Sequence, residues 1–193
     1  ILKLNAVAGF DDWRKLRYIA IPRFNINAEI KAFQLIYDEP FQDSQDSEPR
    51  NKHYLVKKGD LNGSFSIIGK LSQEINYYLC EGAATGLAIH KATGAAVIVT
   101  GDTSQLPKAA KTLKEHGFYK GIIAADNDLN TDVHKGNPGI MAAIKTALLT
   151  GFKIRIPALD ANKCDFDDVL RAKGENTVKN QLKNNKLAVP KCD

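Results

Sequence analysis

Residues 76–99 read NYYLCEGAATGLAIHKATGAAVIV. Residues 76–80 form a compact β-prone run, and 83–93 have helical spacing through Ala84, Leu87 and Ala88. The helix pattern stops at Gly94, which suits a left-handed C-cap, and 95–99 make a second apolar strand. The same rhythm continues downstream. Residues 106–116 carry Pro107 in a first helical turn and end at Gly117, and 121–125 give a third strand. Asn137 is placed to cap a helix that starts at Pro138, buries Ile140, Ala143, Ile144, Ala147 and Leu148, and stops at Gly151. A fourth strand follows at 152–156. Four apolar strands joined by three helices are repeated βαβ units, which imply a parallel sheet with helices on both faces.

Upstream the pattern differs. Between Arg17 and Gly69 the apolar residues come in short runs separated by turns, and Asn62-Gly63 before 64–68 is a hairpin signal. This part reads as a small, mostly antiparallel β unit. Residues 1–74 are therefore expected to form a β-rich subdomain, 75–172 the α/β domain, and 173–193 a helical tail.

Composition narrows the classes. The chain has 193 residues, 44% of them hydrophobic and 25% charged, which supports a buried core and excludes dominant disorder. Cys80, Cys164 and Cys192 are too scattered for a disulfide framework or a cysteine-rich zinc site, and a reducing, cytoplasmic setting is expected. No apolar run approaches the roughly twenty residues of a membrane span, so no membrane partner is expected. Ile1 at the start and a single methionine, Met141, make the chain read as part of a longer protein. The net charge of +5 barely favours a nucleic-acid partner by itself, but Asp38, Glu39, Asp43, Asp46 and Glu48 crowd one polar stretch and leave the remainder distinctly basic. No cluster of aromatics stands out as a stacking platform.

The acids matter more than the balance. Ligands of open parallel sheets bind beyond the carboxyl ends of the strands. Glu81 closes the first strand, Asp126 and Asp128 close the third, and Asp165, Asp167 and Asp168 follow the fourth. One such acid is ordinarily a helix cap or turn former, and Asp102 and Asp132 read that way. Several at neighbouring strand ends repel one another and suit a hard cation such as Mg²⁺. The site is expected between the ends of strands one and three, with Asp165 or Asp167 closing it. There is no Gly-x-Ser-x-Gly elbow, no Walker A sequence and no Gly-x-Gly-x-x-Gly after a strand. His53, His90, His116 and His134 read as surface histidines.

The residues 78–86, YLCEGAATG, followed by 122–128, IIAADND, resemble the Toprim domain, and more narrowly the Toprim region of plasmid- and phage-type DNA primases. Further matches are His90-Lys91-Ala92-Thr93-Gly94, Asn137-Pro138-Gly139, and the block from Cys164 to Val169. The segment from Ile21-Pro22 to Gly69 resembles what precedes Toprim in those proteins. The resemblance implies a metal-dependent nucleotidyltransferase core that synthesises short RNA primers on single-stranded DNA in plasmid or phage replication or transfer. It implies Glu81 as general acid/base or metal ligand, and Asp126, Asp128, Asp165 and Asp167 as ligands of Mg²⁺ or Mn²⁺. A single-stranded DNA template, NTPs, and helicase, relaxase or zinc-binding domains are the implied partners. Two departures stand out: Thr85 occupies the region where cellular primases carry a second acid, and Asp167 replaces an asparagine.

For phosphate or nucleic-acid contact the expected residues are Gly82, Lys135, Asn137 and Lys163, the lysines by their position beside the acids and Asn137 by opening a helix. Lys108, Lys111 and Lys114 form a basic helical stripe with Lys120 nearby, and read first as a solvated face. The alternatives are a non-catalytic nucleic-acid-binding domain of a mobilisation or replication protein, or a Toprim nuclease or topoisomerase domain. The latter needs a nucleophilic tyrosine from elsewhere, since Tyr77 and Tyr78 lie in a buried strand. An Asp-x-Asp phosphatase ranks last, because its acids belong after the first strand.

Overall fold

A computed structural model describes residues 5–42, 48–56, 61–128, 136–159, 163–184 and 186–187. Lys135, Asp43, Asp46, Asp132, His134 and Cys192 lie outside the described residues.

The first four strands, β1 (Val7–Asp11), β2 (Leu16–Phe24), β3 (Ile30–Phe41) and β4 (Arg50–Val56), form an antiparallel meander in sequence order. Its turns are held by acid and amide side chains. Asp11 accepts from the Trp13 and Arg14 amides, the Arg14 guanidinium and the Tyr37 hydroxyl. Those donors hold its carboxyl at about 2, backbone and side-chain bonds from Arg14 contributing most.

β5 (Ser66–Ile68) corrects one expectation. It does not complete a hairpin within the N-terminal sheet; it pairs antiparallel with β7 (Val97–Val99), at the edge of the second sheet. The Asn62-Gly63 turn does form, with the Ser64 amide bonded to the Leu61 carbonyl and Gly63 at φ 69°. The strand after it goes elsewhere because β7 is wholly apolar and fully buried, and an uncovered edge there would leave backbone groups unpaired.

The second sheet runs in the order β12-β10-β8-β6-β7-β5. Its centre consists of β6 (Tyr77–Cys80), β7, β8 (Gly121–Ala124) and β10 (Lys153–Arg155), all parallel. β12 (Lys186–Leu187) pairs antiparallel with β10 on the far edge. The four parallel strands match those expected from the sequence. Alternation along each strand divides the core. Tyr77, Leu79, Ile98, Ile123 and Ile154 face α2 (Leu106–Glu115) and α3 (Pro138–Thr150). Cys80, Val97, Val99 and Ala124 face α1 (Ala83–Thr93) and α4 (Phe166–Asn184). The sheet is thus covered on both sides, as a parallel sheet must be.

The helix starts and stops follow the glycine and proline signals. Gly94 and Gly151 cap α1 and α3 in the left-handed conformation, and Pro107 and Pro138 sit in first turns. One expected core position is corrected: Leu148 is 51% exposed. Thr146 and Thr150 are buried on α3 instead, because their hydroxyls donate to Ala142 O and Thr146 O one turn back and need no outside partner. The residues expected as a tail extend α4 through a break at Gly174 (φ 77°), and Val178 and Leu182 pack into the core beside Phe166 and Val169. Among the described residues no helix is long and apolar enough to cross a membrane.

Hydrogen bonds join the sheets. Phe24 and Phe65 exchange backbone hydrogen bonds, and the Ser66 hydroxyl donates to Pro22 O. Beside them Arg23 is fully buried, and its guanidinium donates to Ser64 Oγ, Ser64 O and Thr100 O.

Candidate active site

β6 ends at Cys80 and α1 begins at Ala83, so Glu81 and Gly82 form the whole connection. Gly82 occupies the N-cap of α1 in extended conformation, and its carbonyl accepts from Gly86 N. Glu81 is tied to the next strand end by its own carbonyl, which accepts from Gly101 N at 2.8 Å. Burial pushes the Glu81 carboxyl up, Asp128 and Asp102 add to this, and Lys52 and Lys163 oppose it.

Asp126 stands at the end of β8, the strand paired with β6. Its carboxyl is pushed up to about 7, chiefly by burial, then by Glu81, Asp165 and Asp128, with Lys52 pulling it down. Its Oδ1 is buried with no hydrogen-bond partner among the described residues. Asp128 belongs to a two-residue strand, β9 (Asn127–Asp128), which pairs antiparallel with β11 (Lys163–Cys164). That pairing sets Lys163 opposite Asp128, and the two form an ion pair at 3.1 Å. The mutual field raises the Lys163 ammonium, the hydrogen bond to Asp128 first.

Asp165 and Asp167 differ in their surroundings. Asp165 Oδ1 accepts from the Asp167 and Asp168 amides at the start of α4, and Oδ2 accepts from the Thr85 hydroxyl at 2.7 Å. Asp165 thus caps α4, pins α1 and acts on Asp126 at once. Asp167 is ion-paired with Arg171. Asn137 is the N-cap of α3: its Oδ1 accepts from Ile140 N and Asp128 N, and its Nδ2 donates to Asn127 Oδ1. The side chain expected to open a phosphate-binding helix therefore also fastens the Asp126–Asp128 loop. Asn137→Ala is expected to cost about 1–2 kcal/mol of stability, read as a fall in Tm; an unchanged Tm would show that the cap carries no load.

Two basic residues escaped the sequence reading. Lys52 on β4 lowers both Glu81 and Asp126, so the N-terminal sheet presents positive charge to the acids. Arg23 braces the loop after β7, donating to Thr100 O beside Gly101. Neither lies near the acids in sequence, and only the packing of sheet against sheet reveals them. The N-terminal sheet also carries an aromatic group that the sequence did not suggest: Tyr37 packs on Tyr18, Phe41 and His53, and Trp13 is 81% exposed beside Arg14. Other histidines are structural: His90 Nδ1 bonds Ala95 O and His116 Nδ1 bonds Thr112 O. Asp102 forms the Asx-turn expected of it, accepting from Ser104 N and Gln105 N.

Among the described residues no three carboxylate, imidazole or thiol groups close on a single point as a finished metal cage. The donor set nevertheless fits a hard divalent cation. It is all carboxylate oxygen, its members raise one another electrostatically, and the buried Asp126 Oδ1 lacks a partner.

A parallel α/β domain with coupled carboxylates beyond adjacent strand ends, preceded by an antiparallel sheet that offers a lysine to them, is the class these features define. The chain belongs to the Toprim domain family, whose match covers residues 76–176. No curated protein sequence matches it. Among solved structures, the primase fragment of the bacteriophage T7 primase-helicase superposes with a TM-score of 0.59 at 13% identity, covering 93% of this chain and 68% of that one. The Aquifex aeolicus primase with its zinc-binding and RNA polymerase domains gives 0.57 at 15%, covering 88% of this chain and 41% of that one. The DnaG primase catalytic domain bound to single-stranded DNA gives 0.57 at 16%, with 88% and 52% covered. The chain thus spans between two fifths and two thirds of these proteins, and shares their fold.

Proposed function

We propose that this chain is the catalytic core of a primase, joining nucleotides on a single-stranded DNA template with the help of Mg²⁺ or Mn²⁺. The observation that carries the reading is Asp126. A carboxyl held at about 7 by burial and by Glu81, Asp165 and Asp128, with one oxygen unpartnered, needs a cation to be ionised at little cost. Glu81, Asp126 and Asp128 would hold the cation, with Asp165 closing the site through the Thr85 bond. Once bound, the cation supplies charge neutralisation at the transferring phosphate.

The residues of the chain do the rest. A primer or nucleotide 3′-hydroxyl attacks the α-phosphorus of an NTP; the new O–P bond forms as the bond to pyrophosphate breaks. Glu81, its proton affinity raised by burial and by Asp128, accepts the hydroxyl proton. Lys52 and Lys163 offset the triphosphate charge. Gly82 opens α1 with a backbone that lets phosphate oxygens approach its free N–H groups. Plasmid or phage replication and transfer is the setting inferred for this chemistry, with a single-stranded DNA template and any helicase, relaxase or zinc-binding domain as its partners.

The test is primer synthesis from labelled NTPs on single-stranded DNA. Glu81→Gln is expected to lose about 10²-fold or more while its circular dichroism matches wild type. Equal activity in the two proteins would remove Glu81 from the chemistry. Template binding without synthesis by either would favour the accessory-domain reading, in which Asp128 is neutralised by Lys163 alone.

A further inference from the structure

At the opposite end of the parallel strands lies a hollow of about 270 Å³, lined by Asn76, Tyr119, Lys120, Lys153 and Arg155 together with backbone of the strand starts. Lys120 precedes β8 and Asp126 follows it, six residues of near-extended chain or about 20 Å apart. The hollow therefore cannot serve a phosphate held at the acids.

Its charge is one-signed. Among the described residues none of Lys120, Lys153 and Arg155 pairs with a carboxylate. Lys120 Nζ donates to the Glu74 carbonyl at 2.6 Å. Arg155 is only 6% exposed, yet its guanidinium meets neutral acceptors alone, Leu182 O through Nε and Ile154 O through Nη1. Three cations around one small hollow, none of them paired with a carboxylate among the described residues, repel one another. The missing component is an anion. The volume falls below the range of about 300–1,000 Å³ usual for drug-sized ligands, and suits a phosphate with its sugar. A base would be left outside, where the Tyr119 ring is 67% exposed at the rim.

We propose that this hollow binds the phosphate of a nucleotide, with Lys120, Lys153 and Arg155 as its anion contacts and Tyr119 as the surface on which the base lies. The inference does not depend on the primase reading. The nucleotide is either free or one unit of a strand, and the shared chemistry is a phosphate next to a stacked base.

The experiment is titration calorimetry of the whole chain in EDTA, which keeps metal-dependent binding at the acids silent. The probes are AMP, adenosine, and an eight-nucleotide single-stranded oligothymidylate. AMP is expected to bind and adenosine not to. Both lysines are exposed, so the double variant Lys120→Ala with Lys153→Glu keeps the fold and weakens AMP at least tenfold; Tyr119→Ala weakens it less. Glu81→Gln leaves binding unchanged. If the oligonucleotide binds more tightly than AMP and is lost in the same double variant, the phosphate comes from a strand; if AMP is tighter, it comes from a free nucleotide. Failure of both phosphate ligands to bind, equal binding by the double variant, or weakening by Glu81→Gln would overturn the proposal.

Discussion

Asp126→Asn is expected to raise the stability of the metal-free protein at pH 8 by roughly 2–3 kcal/mol and to abolish its stabilisation by Mg²⁺. The folded carboxyl titrates at about 7 against an ordinary value of 3.8. Between those values the folded form holds a proton that the unfolded chain has released. Stability therefore falls as pH rises through this window, reaches its floor above pH 7, and is fully recovered only below the unfolded value. Asparagine carries no charge into the site and removes the fall; its amide still lacks one partner, which trims the gain. Magnesium should stabilise wild type in proportion to occupancy, because it binds the folded form alone. Thermal melts at pH 5 and pH 8, with EDTA and with Mg²⁺, make the comparison. A variant that melts below wild type at pH 8, or that gains equally from Mg²⁺, would show that Asp126 is neither strained nor a ligand.

Gly139→Ala is expected to destabilise the fold by about 2–3 kcal/mol, although alanine is the better helix former by about 1 kcal/mol. Gly139 is buried in the first turn of α3, and a Cβ there would overlap the backbone carbonyl oxygen of Asp126. Backbone lies on both sides, so either α3 or the strand end must move. Either movement displaces the carboxylate, and the Mg²⁺ gain should shrink with the Tm. Lys145→Ala, on the exposed side of the same helix, is the control and should change Tm little. If both variants melt alike, the close approach of α3 to Asp126 is not what holds the site.

The two substitutions mark how the site is built. Gly139 was visible in the sequence as part of Asn137-Pro138-Gly139, but its reason is a steric contact with a residue thirteen positions earlier. Asn137 was legible as a helix cap because capping is local; its second bond, to the Asp128 amide, is not. The division of labour between Asp165 and Asp167 was likewise out of reach. Both follow the same strand, yet one caps α4 and reaches Thr85 while the other turns to Arg171.

What the sequence determined by itself was the order of the four parallel strands and three helices in residues 76–156, the glycine and proline stops between them, and the placing of Glu81 and Asp126 just beyond strand ends. These depend on periodicity and backbone preference, which act over a few residues. The tertiary structure alone decided that β5 leaves its hairpin to cover the apolar edge at β7, that Lys52 faces the acids from another sheet, and that Arg155 is buried on the carbonyls of Leu182 and Ile154. Each of those depends on which surfaces meet, and burial and Coulomb interactions couple residues by distance in space, whatever their separation along the chain.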